Sequence, residues 1–222
     1  MVLPAGGSGT RMGGSAKQFR RLGDAPVLVQ TLRSFVRHPE VGPCVVVVPA
    51  GEERQTASVL ADHGVEAAVV AGGSTRQASV LNGLVALPGA VRYVLVHDAV
   101  RPFVSAELIS GVVAAVRAEG AAAAAVPVAD TLRRGAAGRF GATVSREGLW
   151  AMQTPQGARR DWLEAAYASA KGGEATDEVG LLQAAGFAVG IVEGDSRNVK
   201  ITRPSDWDLA RSLWPDWAAR RF

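Results

Sequence analysis

The chain has 222 residues, with 24 lysines and arginines against 21 acidic residues and a formal net charge of +3. That balance is too weak to predict nucleic-acid binding, and no basic stripe with interleaved aromatic residues is present. Hydrophobic residues make up 48% of the chain, enough for a buried core, yet no window approaches about eighteen consecutive apolar residues, so no membrane span is predicted. The lone Cys44 excludes a disulfide framework. With no signal-peptide pattern at the N-terminus, we expect a cytoplasmic protein.

Short apolar runs alternate with stretches of helical spacing along the chain. The predicted strands lie at residues 1–6, 44–50, 66–73, 92–99, 121–129 and 188–195. The predicted helices lie at residues 26–39, 52–64, 75–87, 105–120, 159–173, 176–186 and 203–214. Ser105 is a predicted N-cap and Gly120 a predicted C-terminal stop of the same helix.

The predicted strands are apolar throughout instead of alternating with polar residues, which indicates a parallel sheet covered by helices on both faces. We therefore expect an α/β fold, a Rossmann-like three-layer sandwich with a mostly parallel central sheet, formed as a single domain over residues 1–222. The turns AGGSGTR, AGGSTR and HDAVRP each follow a strand. Ligands of such sheets bind beyond the carboxyl ends of the strands, so these turns are expected to face one crevice.

Residues 130–147 break the alternation. DTLRR and ATVSR read as the legs of a hairpin around the turn-rich GAAGRFG. A hairpin that projects from an α/β domain leaves strand edges unpaired, so we expect this protruding arm to pair with a second subunit.

The first predicted strand runs into a glycine-rich loop that contains Arg11 and Lys17. Glycine lets the backbone turn tightly and approach a ligand closely, and several backbone N–H groups of such a loop can point at one anion. Two cations there predict a triphosphate site; the alternative is a flexible N-terminal turn. The Walker pattern fails because Ser15 and Ala16 stand where Lys and Ser or Thr are required, and the dinucleotide pattern fails at Met12.

Two further charged residues stand in apolar surroundings. Asp98 ends an apolar strand, where a bare carboxylate is costly unless it is paired or bound to a cation. It is the best candidate for holding Mg²⁺; a helix cap or a salt bridge with Arg101 is the alternative, and His97 is expected to be structural. Lys200 lies in the strand-like stretch NVKITRP, which suggests that its side chain reaches inward to an anion.

Nearly the whole chain resembles the 2-C-methyl-D-erythritol 4-phosphate cytidylyltransferases, a family of the nucleotidyltransferase superfamily in the non-mevalonate isoprenoid pathway. The resemblance lies in the ordered motifs PAGGSGTRMGGSAKQF, AGGSTRQASVLNGL, VLVHDAVRP, TPQG, ATDEVGLLQAAG and GDSRNVKITRPSD. The first motif is typical of the superfamily, whereas HDAVRP with NVKITRP is more specific. The family often carries an acidic residue after the second glycine of AGG, where this chain has Ser74 and Thr75.

The resemblance implies attack by a sugar-alcohol phosphate on the α-phosphorus of CTP, with release of pyrophosphate and with Mg²⁺ as the cofactor. It implies catalytic roles for Arg11, Lys17, Asp98 and Lys200, with Asp98 as the metal ligand. It implies a nucleotide site formed by Pro4, Ala5, Gly6, Gly7, Gly9, Thr10, Arg11, Lys17, Gly72, Gly73, Ser74, Arg76, Ser79, Asp98 and Ala99. It implies an acceptor site formed by Asp98, Arg101, Arg146, Thr154, Thr176 and Lys200. In relatives the hairpin reaches across a homodimer, so some acceptor contacts are expected from the neighbouring chain.

Several alternatives remain open at this stage. A CTP-dependent ribitol-5-phosphate cytidylyltransferase shares the loop and many later motifs. A non-catalytic nucleotide-binding regulator on the same fold would bind CTP without turnover. For single residues, Ser74 or Thr75 could act as a helix cap after the second glycine turn, and Thr176 could be the N-cap of the helix that follows it.

Overall fold

The computed structural model describes residues 1–7, 17–170 and 175–220. The strands, numbered in chain order, are β1 Val2–Pro4, β2 Arg21–Leu22, β3 Ala25–Pro26, β4 Val45–Val48, β5 Ala68–Ala71, β6 Tyr93–Val96, β7 Ala121–Pro127, β8 Leu132–Ala136, β9 Arg139–Val144, β10 Trp150–Arg159 and β11 Gly190–Glu193. The helices are α1 Val27–Val36, α2 Glu53–Asp62, α3 Arg76–Ala86, α4 Ala106–Glu119, α5 Arg160–Ser169, α6 Glu178–Ala184 and α7 Pro204–Arg220. A short 3₁₀ helix covers Lys17–Phe19.

Within the described ranges, seven strands form one sheet in the order β11-β7-β10-β6-β1-β4-β5. Strand β1 runs parallel to β4 and β6, β4 is parallel to β5, and β11 is parallel to β7. Strand β10 is antiparallel to both of its neighbours, β6 and β7. The predicted α/β fold with a mostly parallel sheet is therefore confirmed.

Alternate residues of β4 face opposite sides of the sheet, and both sides are buried. Val45 and Val47 pack in the cluster that contains Leu84 of α3. Val46 packs in the cluster that contains Leu32 of α1. Helices thus cover both faces, which is why the strands read as uninterrupted apolar runs and why the domain has three layers.

Strand β10 was missed by the sequence analysis because it does not look like a buried strand. Polar side chains interrupt its buried stretch: Gln153, Thr154 and Gln156 are 7%, 4% and 3% exposed, next to the buried Pro155 and Ala158. The register against β7 shifts between Met152 and Gln156, so the strand is irregular where these polar groups turn inward. A buried polar stretch needs hydrogen-bond partners, and those partners come from distant segments that the local sequence does not show.

The predicted hairpin is present. Strands β8 and β9 form a separate antiparallel pair with Leu132 opposite Val144. The turn between them is shorter than expected and contains Ala137 and Gly138, both at positive φ. Phe140 on this arm is 86% exposed, so the arm presents an apolar side chain to the outside.

The ends of α4 are those that the sequence indicates. The Ser105 hydroxyl accepts a hydrogen bond from the Leu108 N–H at 3.2 Å, and Gly120 closes the helix at a φ of +92°. A Cβ at Gly120 would lie 2.4 Å from the Trp162 ring, so glycine is required there by both conformation and space. The longest described helix, α7, has 17 residues, and none of the helices within the described ranges is long and apolar enough to cross a membrane.

The strand-like conformation expected for residues 198–203 is wrong: the segment is irregular up to the start of α7. Its backbone groups pair with loops instead of a neighbouring strand. The Ile201 N–H donates to the Val100 carbonyl at 3.0 Å, and the Val199 N–H donates to the Arg197 carbonyl at 2.7 Å. The alternation of apolar residues that suggested a strand reflects the burial of Ile201 against α7.

Candidate active site

A cavity of about 370 Å³ opens where the parallel strands β1, β4, β5 and β6 end. It is lined by the residues that directly follow these strands, as expected for an α/β sheet. A larger cavity of about 640 Å³ lies elsewhere, among residues of α1, α4 and α7 such as Arg33, His38 and Trp217. Among the described residues, none of the glycine turns or strand-end turns named above lines this second cavity, so the strand-end cavity is the candidate site.

All twelve of the predicted nucleotide-site residues that the structure describes line this one cavity. They are Pro4, Ala5, Gly6, Gly7, Lys17, Gly72, Gly73, Ser74, Arg76, Ser79, Asp98 and Ala99, together with Lys200 from the predicted acceptor site. Gly9, Thr10 and Arg11 lie outside the described residues. The cavity also contains Gln18, Val48, Pro49, Thr75 and Val100, which the sequence analysis did not assign to the site.

The turn after β5 is a compact, internally bonded loop. The Thr75 hydroxyl accepts from the Ala78 N–H at 3.0 Å, so Thr75 is the N-cap of α3, as one of the open alternatives proposed. The Gly73 N–H donates to the Ser79 hydroxyl at 3.1 Å, and that hydroxyl donates to the Thr75 carbonyl at 2.8 Å. A Cβ at Gly73 would lie 2.4 Å from the Cβ of Ala78. The glycine is therefore needed for close packing of the loop on the helix, and the Ser79 hydroxyl serves the loop itself.

The turn after β1 is held by a neighbour of Lys17. Gln18 is 2% exposed, and its side-chain amide donates to the Ala5 carbonyl at 2.8 Å. This bond anchors the 3₁₀ helix on the strand end. A Cβ built on Gly7 would lie 3.9 Å from Cε of Lys17, so the lysine stem runs alongside the glycine turn, and both residues line the cavity. The sequence signal for this anchor was Gln18, the amide residue that directly follows the predicted cation Lys17.

Asp98 is surrounded by three basic side chains in the site. Lys200 Nζ lies 2.9 Å from its Oδ2, and Arg101 Nε lies 3.3 Å from the same oxygen. Arg76 Nη2 lies 3.9 Å from Oδ1. Burial alone would raise the pKa of Asp98, but Lys200 and the two arginines lower it to about 2. The carboxylate is therefore ionised at neutral pH. The salt bridge with Arg101, which was the alternative to a metal-binding role for Asp98, is present alongside the contact with Lys200.

His97, Thr154 and Asp98 are joined by hydrogen bonds that define one tautomer. The Arg101 carbonyl can only accept, so the His97 Nε2 at 3.1 Å must carry the proton. His97 Nδ1 then accepts from the Thr154 hydroxyl at 3.0 Å, and that hydroxyl accepts from the Asp98 N–H at 3.1 Å. Burial lowers the pKa of His97 to about 4, which keeps the ring neutral. His97 is structural, as expected, and Thr154 uses its hydroxyl to hold the backbone of Asp98.

Arg101 is buried beneath the cavity instead of lining it. Its Nη1 donates to the Asn198 carbonyl at 2.7 Å, and its side chain is 10% exposed. Burial lowers its pKa, but Asp98 favours the charged form. Arg101 thus links the turn after β6 to the segment that carries Lys200.

Glu178 is a buried carboxylate that the sequence analysis did not identify. It is 2% exposed and accepts two hydrogen bonds from Arg76, from Nη1 at 2.8 Å and from Nη2 at 2.9 Å. Burial opposes both charges, but the bidentate contact raises the pKa of Arg76 and keeps the guanidinium charged. The sequence signal for Glu178 was the acidic pair in ATDEV. The N-cap of α6 is Asp177 and not Thr176, because the Asp177 carboxylate accepts a hydrogen bond from the Gly180 N–H at 2.9 Å.

Two predicted acceptor residues lie apart from this cavity. Arg146 is exposed just after β9, where its guanidinium contacts the Ala129 carbonyl. Thr176 is exposed immediately before the Asp177 cap. Neither lines the cavity around Asp98, and their roles remain predictions.

The donor set around Asp98 fits a hard cation that a nucleotide would help to hold. Within the described ranges, no group of three or more His, Cys, Asp or Glu side chains comes together. Mg²⁺ in nucleotide enzymes takes one or two protein carboxylates and completes its shell with phosphate oxygens and water. Asp98 supplies one ionised carboxylate, and the ion pair of its Oδ1 with Arg76 is long, at 3.9 Å.

The fold and the site define the class of protein. A glycine turn, lysine and arginine side chains and one ionised carboxylate meet at the strand ends of a mostly parallel α/β sheet, as in a nucleotidyltransferase. A family model described as IspD, 2-C-methyl-D-erythritol 4-phosphate cytidylyltransferase, matches residues 1–214. The chain therefore belongs to this family.

Sequence relatives agree with that assignment. A 2-C-methyl-D-erythritol 4-phosphate cytidylyltransferase of Salinibacter ruber is 54% identical, with 100% of this chain and 96% of the relative covered. The enzyme of the same name from Deinococcus radiodurans is 42% identical over 96% of this chain and 88% of the relative. A bifunctional enzyme IspD/IspF of Desulfotalea psychrophila is 44% identical, and the chain spans 56% of its length.

Solved structures show the same fold. The 2-C-methyl-D-erythritol 4-phosphate cytidylyltransferase of Thermus thermophilus has a TM-score of 0.82 at 37% identity, covering 96% of this chain and 97% of that one. The 4-diphosphocytidyl-2C-methyl-D-erythritol synthase of Anaerococcus prevotii has a TM-score of 0.83 at 29% identity, covering 96% and 93%.

Proposed function

We propose that this chain transfers the cytidylyl group of CTP to 2-C-methyl-D-erythritol 4-phosphate, giving 4-diphosphocytidyl-2-C-methyl-D-erythritol and pyrophosphate. The observation that carries the proposal is the Lys200–Asp98 contact of 2.9 Å at the rim of the strand-end cavity. It joins the two most family-specific motifs, HDAVRP and NVKITRP, at one point in space.

The nucleotide occupies the cavity between the two glycine turns. Gly6 and Gly7 on one side and Gly72 and Gly73 on the other allow the backbone to approach the ligand closely. Backbone N–H and C=O groups can recognise a base edge, so the departure from the family at Ser74 leaves this mode of recognition intact. The Ser79 hydroxyl acts indirectly by holding the Gly73 turn.

In the transfer step, a phosphate oxygen of the acceptor attacks the α-phosphorus of CTP and forms the new P–O bond. The bond from that phosphorus to the bridging oxygen breaks, and pyrophosphate leaves with the electron pair. Both reactants are anions, so the chain's contribution is positioning and neutralisation of charge. We assign Lys17 and Arg11 to the triphosphate and Lys200 to the charge that develops between α-phosphate and acceptor.

Asp98 would hold Mg²⁺, which when bound supplies electrostatic stabilisation of the phosphate oxygens. The cations around Asp98 keep its carboxylate ionised and oriented toward the cavity. Arg76 remains 3.9 Å from Oδ1 of this carboxylate because two of its N–H groups donate hydrogen bonds to Glu178.

The acceptor lies on the Lys200 side of the cavity, near the TPQG and ATDEV motifs. We assign its phosphate to Thr176 and Arg146, with Arg101 and Thr154 supporting the site from beneath through Asp98. Arg146 follows the exposed arm formed by β8 and β9. We therefore propose a homodimer in which the arm of one copy brings Arg146 to the acceptor site of the other.

We also propose that the protein works in the cytoplasm as a single domain. Cys44 is buried and unpaired, which suits a reducing compartment. Residues 1–214 match one family model, which is the support for treating the chain as one catalytic unit.

The experiment is a pyrophosphate-release assay with CTP and Mg²⁺ and with either 2-C-methyl-D-erythritol 4-phosphate or ribitol 5-phosphate as acceptor. We expect turnover with the first acceptor and none above background with the second. The Asp98→Asn variant should lose activity by about 10²–10³ fold, as expected for a group that stabilises charge at the reacting centre. Turnover with ribitol 5-phosphate but not with 2-C-methyl-D-erythritol 4-phosphate would contradict the proposed acceptor. CTP binding without turnover of either acceptor would indicate a non-catalytic regulator.

A further inference from the structure

Lys200 depends on an irregular segment for its position. Residues 198–203 form no strand, and the Lys200 side chain is 42% exposed, so neither a sheet register nor tight packing of the lysine itself fixes its amine. A lysine stem has several rotatable bonds, and holding its ammonium at one point costs conformational entropy. The contact of Nζ with Asp98 at 2.9 Å therefore requires a backbone that is held on both sides of residue 200.

Asn198 supplies the hold on the N-terminal side. It is fully buried, and its side-chain Nδ2 donates to the Thr154 carbonyl at 2.8 Å and to Gln153 Oε1 at 3.3 Å. Its backbone N–H donates to the Asp195 carbonyl at 2.9 Å. Its own carbonyl accepts from Arg101 Nη1 at 2.7 Å. One residue thus ties the segment to the irregular part of β10 and to the turn after β6.

The orientation of the Asn198 amide is determined by these contacts. A carbonyl oxygen can only accept, so the NH₂ group must face Thr154. The opposite oxygen, Oδ1, is buried without a hydrogen-bond partner among the described residues. An unsatisfied buried oxygen lowers stability, so the bonds of the NH₂ group are made at a cost to the fold.

The hold on the C-terminal side comes from Ile201, whose N–H donates to the Val100 carbonyl at 3.0 Å. Ile201 is fully buried in the cluster that contains Trp207. Lys200 therefore lies between two anchors, and both anchors attach to the elements that carry Asp98.

We propose that Asn198 is a positioning residue that delivers Lys200 to Asp98 and to the reacting phosphates. The proposal rests on the proposed function, which assigns Lys200 to the transfer step. Asn198 acts through Lys200 and makes no contact with substrate. Loss of its side-chain amide removes both bonds to β10 and leaves this end of the segment held only by backbone bonds to Asp195 and Arg101, so the lysine samples positions away from the phosphates.

The test is a double-mutant cycle between Asn198→Ala and Lys200→Ala, with kcat, the KM for each substrate and the melting temperature measured for all four proteins. We expect Asn198→Ala alone to lower kcat by about 10–100 fold, since misplacing a reacting group by about 1 Å has effects of this size. In the Lys200→Ala background, the same substitution should change kcat less than about twofold, because residues that act through one another are not additive.

Two further variants separate positioning from folding. Asn82→Ala removes the exposed asparagine whose Nδ2 donates to the Ala71 carbonyl, and it should leave kcat unchanged. Asn198→Asp preserves the side-chain volume but turns an oxygen toward the Thr154 carbonyl. If Asn198→Ala does not fold, this variant takes its place in the cycle, and it should lower kcat in the wild-type background and not in the Lys200→Ala background. In a crystal structure of either Asn198 variant, the Nζ–Oδ2 contact with Asp98, 2.9 Å here, should be lost.

The outcomes separate the role of Asn198 from the role of Lys200. An equal loss of kcat in both backgrounds, or none in the wild-type background, would overturn the positioning role while leaving Lys200 in place. An active Lys200→Ala enzyme with normal kcat would instead remove Lys200 from the mechanism and the role of Asn198 with it.

Discussion

Arg76 and Glu178 form a buried bidentate ion pair, with both oxygens of the carboxylate bonded to the guanidinium, across a sequence separation of 102 residues. Glu178 is 2% exposed, whereas Arg76 reaches the cavity that contains Asp98. The pair connects the start of α6 with the start of α3. It also sets how closely Arg76 approaches Asp98, at 3.9 Å from Oδ1.

Glu178→Gln should lower both stability and activity. The variant removes the charge that holds Arg76, so the guanidinium is free to move onto Asp98 and compete with a metal ion. Because the Arg76 side chain is 29% exposed, solvent screens part of the loss, and we expect a reduction of about 2 kcal/mol in the free energy of unfolding by urea titration. We expect kcat/KM for CTP to fall about tenfold.

The matched control is Glu164→Gln, which removes the 53% exposed partner of Arg160. An exposed pair is worth less than about 1 kcal/mol, so this variant should resemble the wild type in both measurements. Equal behaviour of the two variants would show that the buried pair has no special role.

Lys17→Ala should lower kcat by about 10²–10³ fold, with a smaller change in the dissociation constant for CTP, because its charge matters most in the transition state. Stopped-flow turnover and calorimetric CTP titration measure the two quantities. Arg117→Ala removes a cation whose exposed partner is Glu40, far from the cavity, and should leave both unchanged. An unaltered kcat in Lys17→Ala would remove this lysine from the chemistry.

Thr154→Val should destabilise the protein by about 1–3 kcal/mol, because the buried Asp98 N–H loses its acceptor and His97 loses its donor. Thr154→Ser keeps the hydroxyl and should recover most of the loss. If Thr154 also contacts the acceptor, the KM for 2-C-methyl-D-erythritol 4-phosphate will rise more in the valine variant than the KM for CTP. A valine variant as stable as wild type would contradict the hydrogen-bonded chain described here.

Stability should fall between pH 6.5 and 4 because of His97. Burial lowers its pKa to about 4 in the folded state, whereas an unfolded histidine titrates near pH 6.5. As the pH falls through that window, the unfolded chain takes up a proton that the folded chain does not. The expected loss is about 3 kcal/mol, complete near pH 4.

Urea unfolding of the wild type and of His97→Asn at a series of pH values measures this contribution. The variant should be less stable at neutral pH but should lose less stability across the window. A His97→Asn slope equal to that of the wild type would exclude the histidine as the cause.

Phe140→Ser should weaken the proposed dimer, because this 86% exposed ring on the β8–β9 arm is the apolar surface that a second copy would cover. Sedimentation velocity over a range of concentrations should show a larger monomer fraction for this variant than for the wild type. Val85→Ser, which changes a 73% exposed side chain on α3, should sediment as the wild type does. A wild type that is monomeric at high concentration would rule out the arm-mediated dimer.

The sequence itself determined the architecture, because the signals for it are local. Uninterrupted apolar runs such as Val45–Val48 indicate strands buried on both faces, and caps such as Ser105 and Gly120 mark helix ends within a few residues. The glycine turns after β1 and β5 and the carboxylate after β6 could be placed at one crevice, since parallel strands end at the same edge of the sheet.

Only the tertiary structure decided how the site is held together. Glu178, His97, Thr154 and Asn198 acquire their roles from partners that lie dozens of residues away, as in the 97-residue separation between Arg101 and Asn198. Strand β10 escaped prediction because polar side chains interrupt its buried stretch, and the Lys200 segment resembled a strand although it is irregular. A local pattern records which side chains avoid water, but the pairing of buried polar groups depends on which segments the fold brings together.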